Sequence, residues 1–335
     1  MLDIQYQFVK DILINTSHSA QETGRAFAPA NIALCKYWGK RDDLLNLPKN
    51  SSISISLGKK GTHTEIKRSS VDKFYLNKNL IESNTDFSKR LSSFLDLFRD
   101  NCRAPGFEVH TINSIPTSAG LASSASGFAA LILALNDLTG WQLDKKKLSM
   151  LARLGSGSAS RSIFNGFVSW NKGKCENGFD SFAESIDVIW PEFRIGLLKI
   201  DSSVKKISSR EGMKRTVDTS ERYKNWPIRA EKDFLDINNA ILNKDFNTLG
   251  VLSENNALEM HKTMREAIPP VDYFSNETYS NIKKIQYLRS EGMPIYLTID
   301  AGPNIKILFE EKFNNLILKE FPELEIISPF GEICA

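Results

Sequence analysis

The chain has 335 residues, with 43 lysines and arginines against 40 aspartates and glutamates, a formal net charge of +3 at neutral pH. Hydrophobic residues make up 41% and charged residues 25%, the composition of a soluble globular protein with one large domain or two of ordinary size. So small a surplus argues against a nucleic-acid binder recognised by charge, while leaving room for a local basic pocket around a phosphorylated small molecule. Cys35, Cys102, Cys175 and Cys334 stand singly, with no Cys-x-x-Cys pair. That spacing speaks against a zinc ribbon or a disulfide framework and suits a reducing cytoplasm. The first residues lack a basic start followed by an apolar core, so no secretory signal is read. The most apolar window, residues 127–135, falls far short of the roughly 18 residues a membrane span needs. The expectation is a soluble, cytoplasmic protein that binds neither membrane nor nucleic acid.

In chain order, residues 1–24 are polar and weakly patterned, read as a short helix or a loose arm. "SSISISLG" alternates apolar and hydroxyl residues with period two, as a half-buried strand does, and "HTEIKRS" and "KFYLNKNLIES" read as further strands. "TDFSKRLSSFLDLFRDNC" has helical spacing at Phe87, Leu91, Phe94, Leu95 and Phe98. "FEVHTINS" returns to strand. "LDKKKLSMLARLG" is a helix with Asp144 as its N-terminal cap and Gly155 at its C-terminal cap. "FNGFVSW" and "FRIGLLKI" are strands, residues 211–289 are mostly helical, "IYLTIDAGPN" runs from a strand into a turn, and "NIKILFEEKFNNLILKEF" reads as an amphipathic helix. Mixed strands and helices give an α+β class in two halves meeting near residue 190. The domains expected are an N-terminal extension (1–24), an N-terminal domain (25–190) and a C-terminal domain (191–335).

Between the strand "FEVHTINS" and the helix "LDKKKLSMLARLG" lies "IPTSAGLASSASGFAALILAL". Gly120 can take positive φ, and Ala119, Ala122 and Ala125 keep side chains out of the way. Ser123, Ser124 and Ser126 add hydroxyls where a helix begins, and a helix start offers unpaired N–H groups and a positive dipole end. Small residues let an anion approach those groups, so the segment suits a phosphate, although it is not the Walker pattern. A tightly packed helix start with no ligand fits the same residues.

Company decides between them. "APANIALCKYWGKRDDLLNLPKNSSISISL", the small-residue loop, "GSGSASRSIFNGFVSW" and "YLTIDAGPN" occur in that order, with "DSFAESI", "SSREGMKRTVDTS" and "NNALEMHKTMREAIPPVDYF" between the last two. Together they strongly resemble the diphosphomevalonate decarboxylases, members of the GHMP kinase superfamily with galactokinase, homoserine kinase, mevalonate kinase and phosphomevalonate kinase. The resemblance runs from about residue 26 to about residue 330 and leaves the first two dozen residues outside. It implies a two-lobed GHMP-kinase-like fold, with a ribosomal-protein-S5-domain-2-like N-terminal half and a ferredoxin-like C-terminal half. It also implies a homodimer that uses ATP and Mg²⁺ to phosphorylate the C3 hydroxyl of mevalonate 5-diphosphate. Loss of phosphate and CO₂ then gives isopentenyl diphosphate, in isoprenoid biosynthesis.

Carried over residue by residue, the resemblance makes Asp300 the catalytic carboxylate that orients the hydroxyl and accepts its proton. Arg161 holds the substrate carboxylate, because a guanidinium fork matches it bidentately. Ser156 and Ser158 donate to the substrate's phosphates. Lys36 lies close to Asp300 and keeps it ionised, with Tyr37 and Lys40 near the reacting centre and the diphosphate. Asn31 helps to hold the catalytic aspartate, and Ser209 with Arg210 forms a second phosphate-contacting pair. Ser124 faces the transferred phosphate beside Ser123, with Pro116, Ser118, Gly120, Leu121 and Ala122 completing the nucleotide loop. His261, on an apolar helix face, reads as a satisfied helix histidine, and no protein metal site is read. Ser160 stands where relatives often have Cys or Ala, and Asn165 where Gly is usual. A decarboxylase or 3-kinase acting on mevalonate or a mevalonate monophosphate, and a non-catalytic metabolite binder on the same fold, remain as alternatives.

Overall fold

The computed structural model describes residues 2–16, 19, 21–114, 123–201 and 206–331. Its first element is a docked helix, α1 (Leu2–Leu13). Phe8, Val9, Ile12 and Leu13 form one stripe on it, each at most 5% exposed. The Phe8 ring lies 4.8 Å from that of Phe179, and the Arg153 guanidinium sits 5.3 Å over its face. The stripe is diluted by Gln5, Tyr6, Gln7, Lys10 and Asp11, which is why the composition suggested a loose arm.

Next come β1 (Thr23–Cys35), a small hairpin of β2 (Lys40–Asp42) and β3 (Leu47–Pro48), and β4 (Ser52–Ser69). The two strands read separately around "SISISLG" and "HTEIKRS" are thus one strand of 18 residues. Then follow β5 (Lys73–Leu76), β6 (Asn79–Ile81), α2 (Asp86–Asp96), α3 (Arg99–Cys102) and β7 (Gly106–Asn113). Of the apolar positions expected on the helical face there, Leu91, Phe94, Leu95 and Phe98 are buried, whereas Phe87 is 47% exposed. The helices α4 (Ser123–Thr139) and α5 (Lys145–Gly155) lead into a 3-10 segment, Gly157–Ile163, and then β8 (Phe167–Trp170) and β9 (Ala183–Ser185).

Asp144 caps α5 by accepting the Lys147 N–H. Gly155 does not take a left-handed cap; it is the last helical residue, and the cap is the extended Ser156. Glycine is required there because a Cβ would run into the Phe128 ring. Asn165 has no positive φ; Gly166 beside it takes that conformation, so the substitution carries no backbone strain.

The second half holds β10 (Phe193–Leu198), α6 (Ser209–Thr219), α7 (Trp226–Leu242), α8 (Phe246–Arg265) and α9 (Asn276–Ser290). It closes with β11 (Tyr296–Ile299), β12 (Ile305–Glu310), α10 (Asn314–Glu320) and β13 (Glu325–Ile327). The expected helix over "NIKILFEEKFNNLILKEF" is therefore wrong in its first part. Residues 305–309 are all buried, inside a four-stranded antiparallel sheet ordered β11-β12-β10-β13. A strand buried on both faces gives an apolar run without alternation, which periodicity cannot tell from a helix.

The seven-stranded first sheet has the order β6-β5-β7-β4-β8-β9, and β1 pairs antiparallel with β4 along its length. Two apolar cores flank this long pair. Ala28 and Ile66 join the core beneath α1, α4 and α5, whereas Ala30, Ile32, Leu34, Ile53 and Ile55 join the core of the second sheet. The architecture is α+β in two lobes that share β1 and β4. Replacing Phe8 by Ala should lower unfolding free energy by about 3 kcal/mol, the usual loss for a truncated core phenylalanine. Urea denaturation checks this, and an unchanged midpoint would mean that α1 is not docked in solution.

Candidate active site

The end of β1 and the end of β11 meet between the lobes. Lys36, one residue past β1 and 2% exposed, donates from Nζ to Ala33 O at 2.8 Å and to Asp300 Oδ1 at 2.7 Å. Its backbone N–H is fixed by Asn256 Oδ1 on α8, at 2.8 Å. Asp300 follows β11 directly, and its side chain is 25% exposed. Lys306 approaches the other oxygen, Nζ to Oδ2 at 3.4 Å, from a position 2% exposed on β12. The His261 ring, also buried, lies 3.1 Å by Nε2 from the Asp300 carbonyl oxygen.

Electrostatics follow from this packing. Burial would raise the Asp300 carboxyl, but the charges of Lys36 and Lys306 outweigh it and hold the group well below the usual carboxylate range. Burial pulls the Lys36 ammonium down to about 8, against the opposing pull of Asp300. Burial, helped by the Lys36 charge, presses His261 down to about 3.

Arg161, in the 3-10 segment, is 2% exposed and donates to the Ser52 hydroxyl, with its guanidinium 5.7 Å over the Trp170 ring. Its Nε and the buried Tyr37 hydroxyl find no hydrogen-bond partner among the described residues. Tyr37 packs edge-on against Trp170 at 4.8 Å, and glycine at 157 is what lets the 3-10 segment press on its ring. Ser156 and Ser158 bring their hydroxyls within 3.3 Å of each other at the start of that segment. The Ser160 hydroxyl turns back to Gly157 O, buried, so it serves the segment's own geometry.

Asn31 does not touch Asp300. It donates to Ser162 Oγ at 2.7 Å and to Ser158 O at 3.3 Å, so it holds the 3-10 segment and only indirectly the centre. Lys40 pairs with Asp43 at 3.3 Å. Together with Arg90, Arg210 and Lys214 it lines a cavity of about 500 Å³. Ser209 and Arg210 open α6, whose cap is Ser208. Ser123 opens α4 and Ser124 is exposed on its first turn. Pro116, Ser118, Gly120, Leu121 and Ala122 lie outside the described residues. The motifs did not single out Lys306, Asn256, Ser52 or Arg90; Lys306 was hidden because its strand read as a helix. Among the described residues no group of three His, Cys, Asp or Glu side chains could hold a metal ion.

The comparisons decide the lineage. Residues 28–183 match the model of the diphosphomevalonate decarboxylase-like N-terminal domain, and residues 197–327 match that of the mevalonate 5-diphosphate decarboxylase C-terminal domain. A diphosphomevalonate decarboxylase of Debaryomyces hansenii is 37% identical, covering 88% of this chain and 81% of its own. The chain belongs to the diphosphomevalonate decarboxylase family. Mevalonate diphosphate decarboxylase from Staphylococcus aureus superposes with a TM-score of 0.86 at 37% identity, over 92% of this chain and 95% of its own. A further family structure, described as MDDEF in complex with MVAPP, AMPPCP and magnesium, gives 0.85 at 42% identity, over 91% and 95%. The GHMP-kinase-like fold is thereby shown.

With its acidity so depressed, His261 should stay neutral from pH 8 down to pH 5 in ¹⁵N NMR of the ring. The unfolded chain binds a proton there at ordinary histidine acidity, so this residue makes stability fall as pH drops from about 6.5 towards 3. A ring that titrates near pH 6.5 would remove it from the buried contact with Asp300.

Proposed function

We propose that this chain catalyses the ATP-dependent decarboxylation of mevalonate 5-diphosphate to isopentenyl diphosphate, ADP, phosphate and CO₂. The observation that carries this reading is the buried centre itself. A carboxylate held ionised by lysine stands near an arginine whose buried Nε has no hydrogen-bond partner among the described residues. Asp300 orients the C3 hydroxyl and accepts its proton as the oxygen is phosphorylated. Arg161 holds the substrate carboxylate until the bond to that carbon breaks. Those bond electrons form the new double bond, and phosphate leaves from C3. Ser156, Ser158 and Tyr37 donate to the substrate's oxygens, and Lys40, Ser209 and Arg210 supply charge and hydroxyl for the diphosphate.

For the nucleotide, the N-terminal turn of α4, with the N–H groups a helix start offers and the Ser124 hydroxyl, fits a phosphate; Pro116, Ser118, Gly120, Leu121 and Ala122 enter this reading only through the family resemblance. With no cluster of acidic or histidine ligands among the described residues, Mg²⁺ fits as an ion carried on nucleotide phosphates, where it would neutralise their charge. We also read the protein as a cytoplasmic homodimer. The three described cysteines, all unpaired, support a reducing compartment, and sedimentation equilibrium tests the dimer.

Single-turnover incubation with ATP, Mg²⁺ and mevalonate 5-diphosphate should release ADP, phosphate and CO₂ together. ADP without CO₂ would mean a kinase on this fold, and silence would favour a binding protein. Asp300→Asn should cut turnover at least about a hundredfold with ATP binding little changed. Arg161→Lys should also lose rate sharply, since a lysine cannot reproduce the fork; a mild effect would place the carboxylate elsewhere.

A further inference from the structure

Lys306 has no use in the reaction as derived above, yet its ammonium is buried at 2% exposure between Ile305 and Ile307 on an interior strand. A buried charge is costly to keep unless it is paired, and an apolar side chain would fill the same place in the sheet more readily. Its Nζ donates to Asn304 O at 3.2 Å and reaches Asp300 Oδ2 at 3.4 Å, on the opposite side of the carboxylate from Lys36. We propose that Lys306 is a positioning residue for the Asp300 carboxylate, fixing through Oδ2 the orientation and the ionised state that Lys36 alone, acting at Oδ1, would leave unsettled.

The geometry gives this a direction. Both ammonium groups are 2% exposed while the carboxylate is 25% exposed, so the carboxylate, and neither lysine, is the part of the cluster that solvent reaches. A carboxylate held at one oxygen can swing about its terminal torsion, which is broad and roughly two-fold. Held at both, it presents one edge to an approaching hydroxyl. The charged and titratable groups that face it are Lys36 from the end of β1, Lys306 from β12, Arg161 from the 3-10 segment and His261 from α8. His261 is neutral at working pH and Arg161 stays charged there, so the two lysines are the groups whose removal changes the carboxylate's acidity most.

The test uses the full chain. In Lys306→Met, the acid limb of kcat/KM for mevalonate 5-diphosphate should move up by at least about one pH unit, because an opposite charge has been taken from the carboxylate. Lys306→Arg should return the limb to its wild-type position. A Met variant that loses activity equally at every pH, with its limb unmoved, would make Lys306 a packing residue and overturn the proposal. An Arg variant that behaves like Met would do the same. Those readouts rest on the decarboxylase reading. A second does not, and it serves equally should the Met variant fail to fold: ¹³C NMR of the wild-type carboxyls, with Asp300 assigned by its loss in Asp300→Asn. An Asp300 signal that stays ionised to pH 4 is the expected result, and titration above pH 5 would overturn the proposal even in a chain inert toward the substrate.

Discussion

The pairing of Lys36 with Asp300 is the contact around which this molecule is arranged, because its two partners arrive from different lobes. Lys36 directly follows the long first strand of the large sheet, and Asp300 directly follows β11 of the small one. Secondary contacts secure both ends: Asn256 holds the Lys36 backbone, Thr298 Oγ1 donates to Ala33 O at 3.1 Å, and His261 meets the Asp300 carbonyl. Removing one partner of such a pair leaves a buried charge without compensation, typically at a cost of about 3–5 kcal/mol. The lobes are therefore set against each other by the same contact that prepares the chemistry.

The charge of the centre runs opposite to what the whole chain suggests. Overall the surplus is +3 in 335 residues, close to neutral. At the meeting point of the lobes Lys36, Lys306 and Arg161 face a single carboxylate, and all three cations are buried. A concentrated excess of positive charge in a low-dielectric place is stable only when anions complete it. A substrate bearing a carboxylate and a diphosphate, as proposed above, would be complementary to that surplus. The placement of charge, and not its total, distinguishes this centre.

How much of this was legible beforehand varies residue by residue. Asp300 and Lys36 lie at strand-to-turn junctions inside long recognisable motifs, so both position and proximity could be read. For Asn31 the motif gives membership of the site without saying which residue touches which; its amide reaches Ser158 and Ser162. Lys306 was missed for a different reason. Its strand is buried on both faces, and the lysine reads as an interruption in an apolar run and not as part of a site. The docking of α1 depends on Phe179, Arg153 and Leu44, all distant in sequence, and no local pattern announces such partners.

The shared strands have a consequence of their own. β1 and β4 carry side chains into both apolar cores, with Ala28 and Ile66 on one and Ala30, Ile32, Leu34, Ile53 and Ile55 on the other. A cut near residue 190 would thus strip the second sheet of a wall of its interior and leave these apolar side chains of the first half, with Leu57 and Phe167, facing water. Two recognisable sequence modules thus share one apolar seam, and evolutionary exchange of either half would have to preserve it along this strand pair.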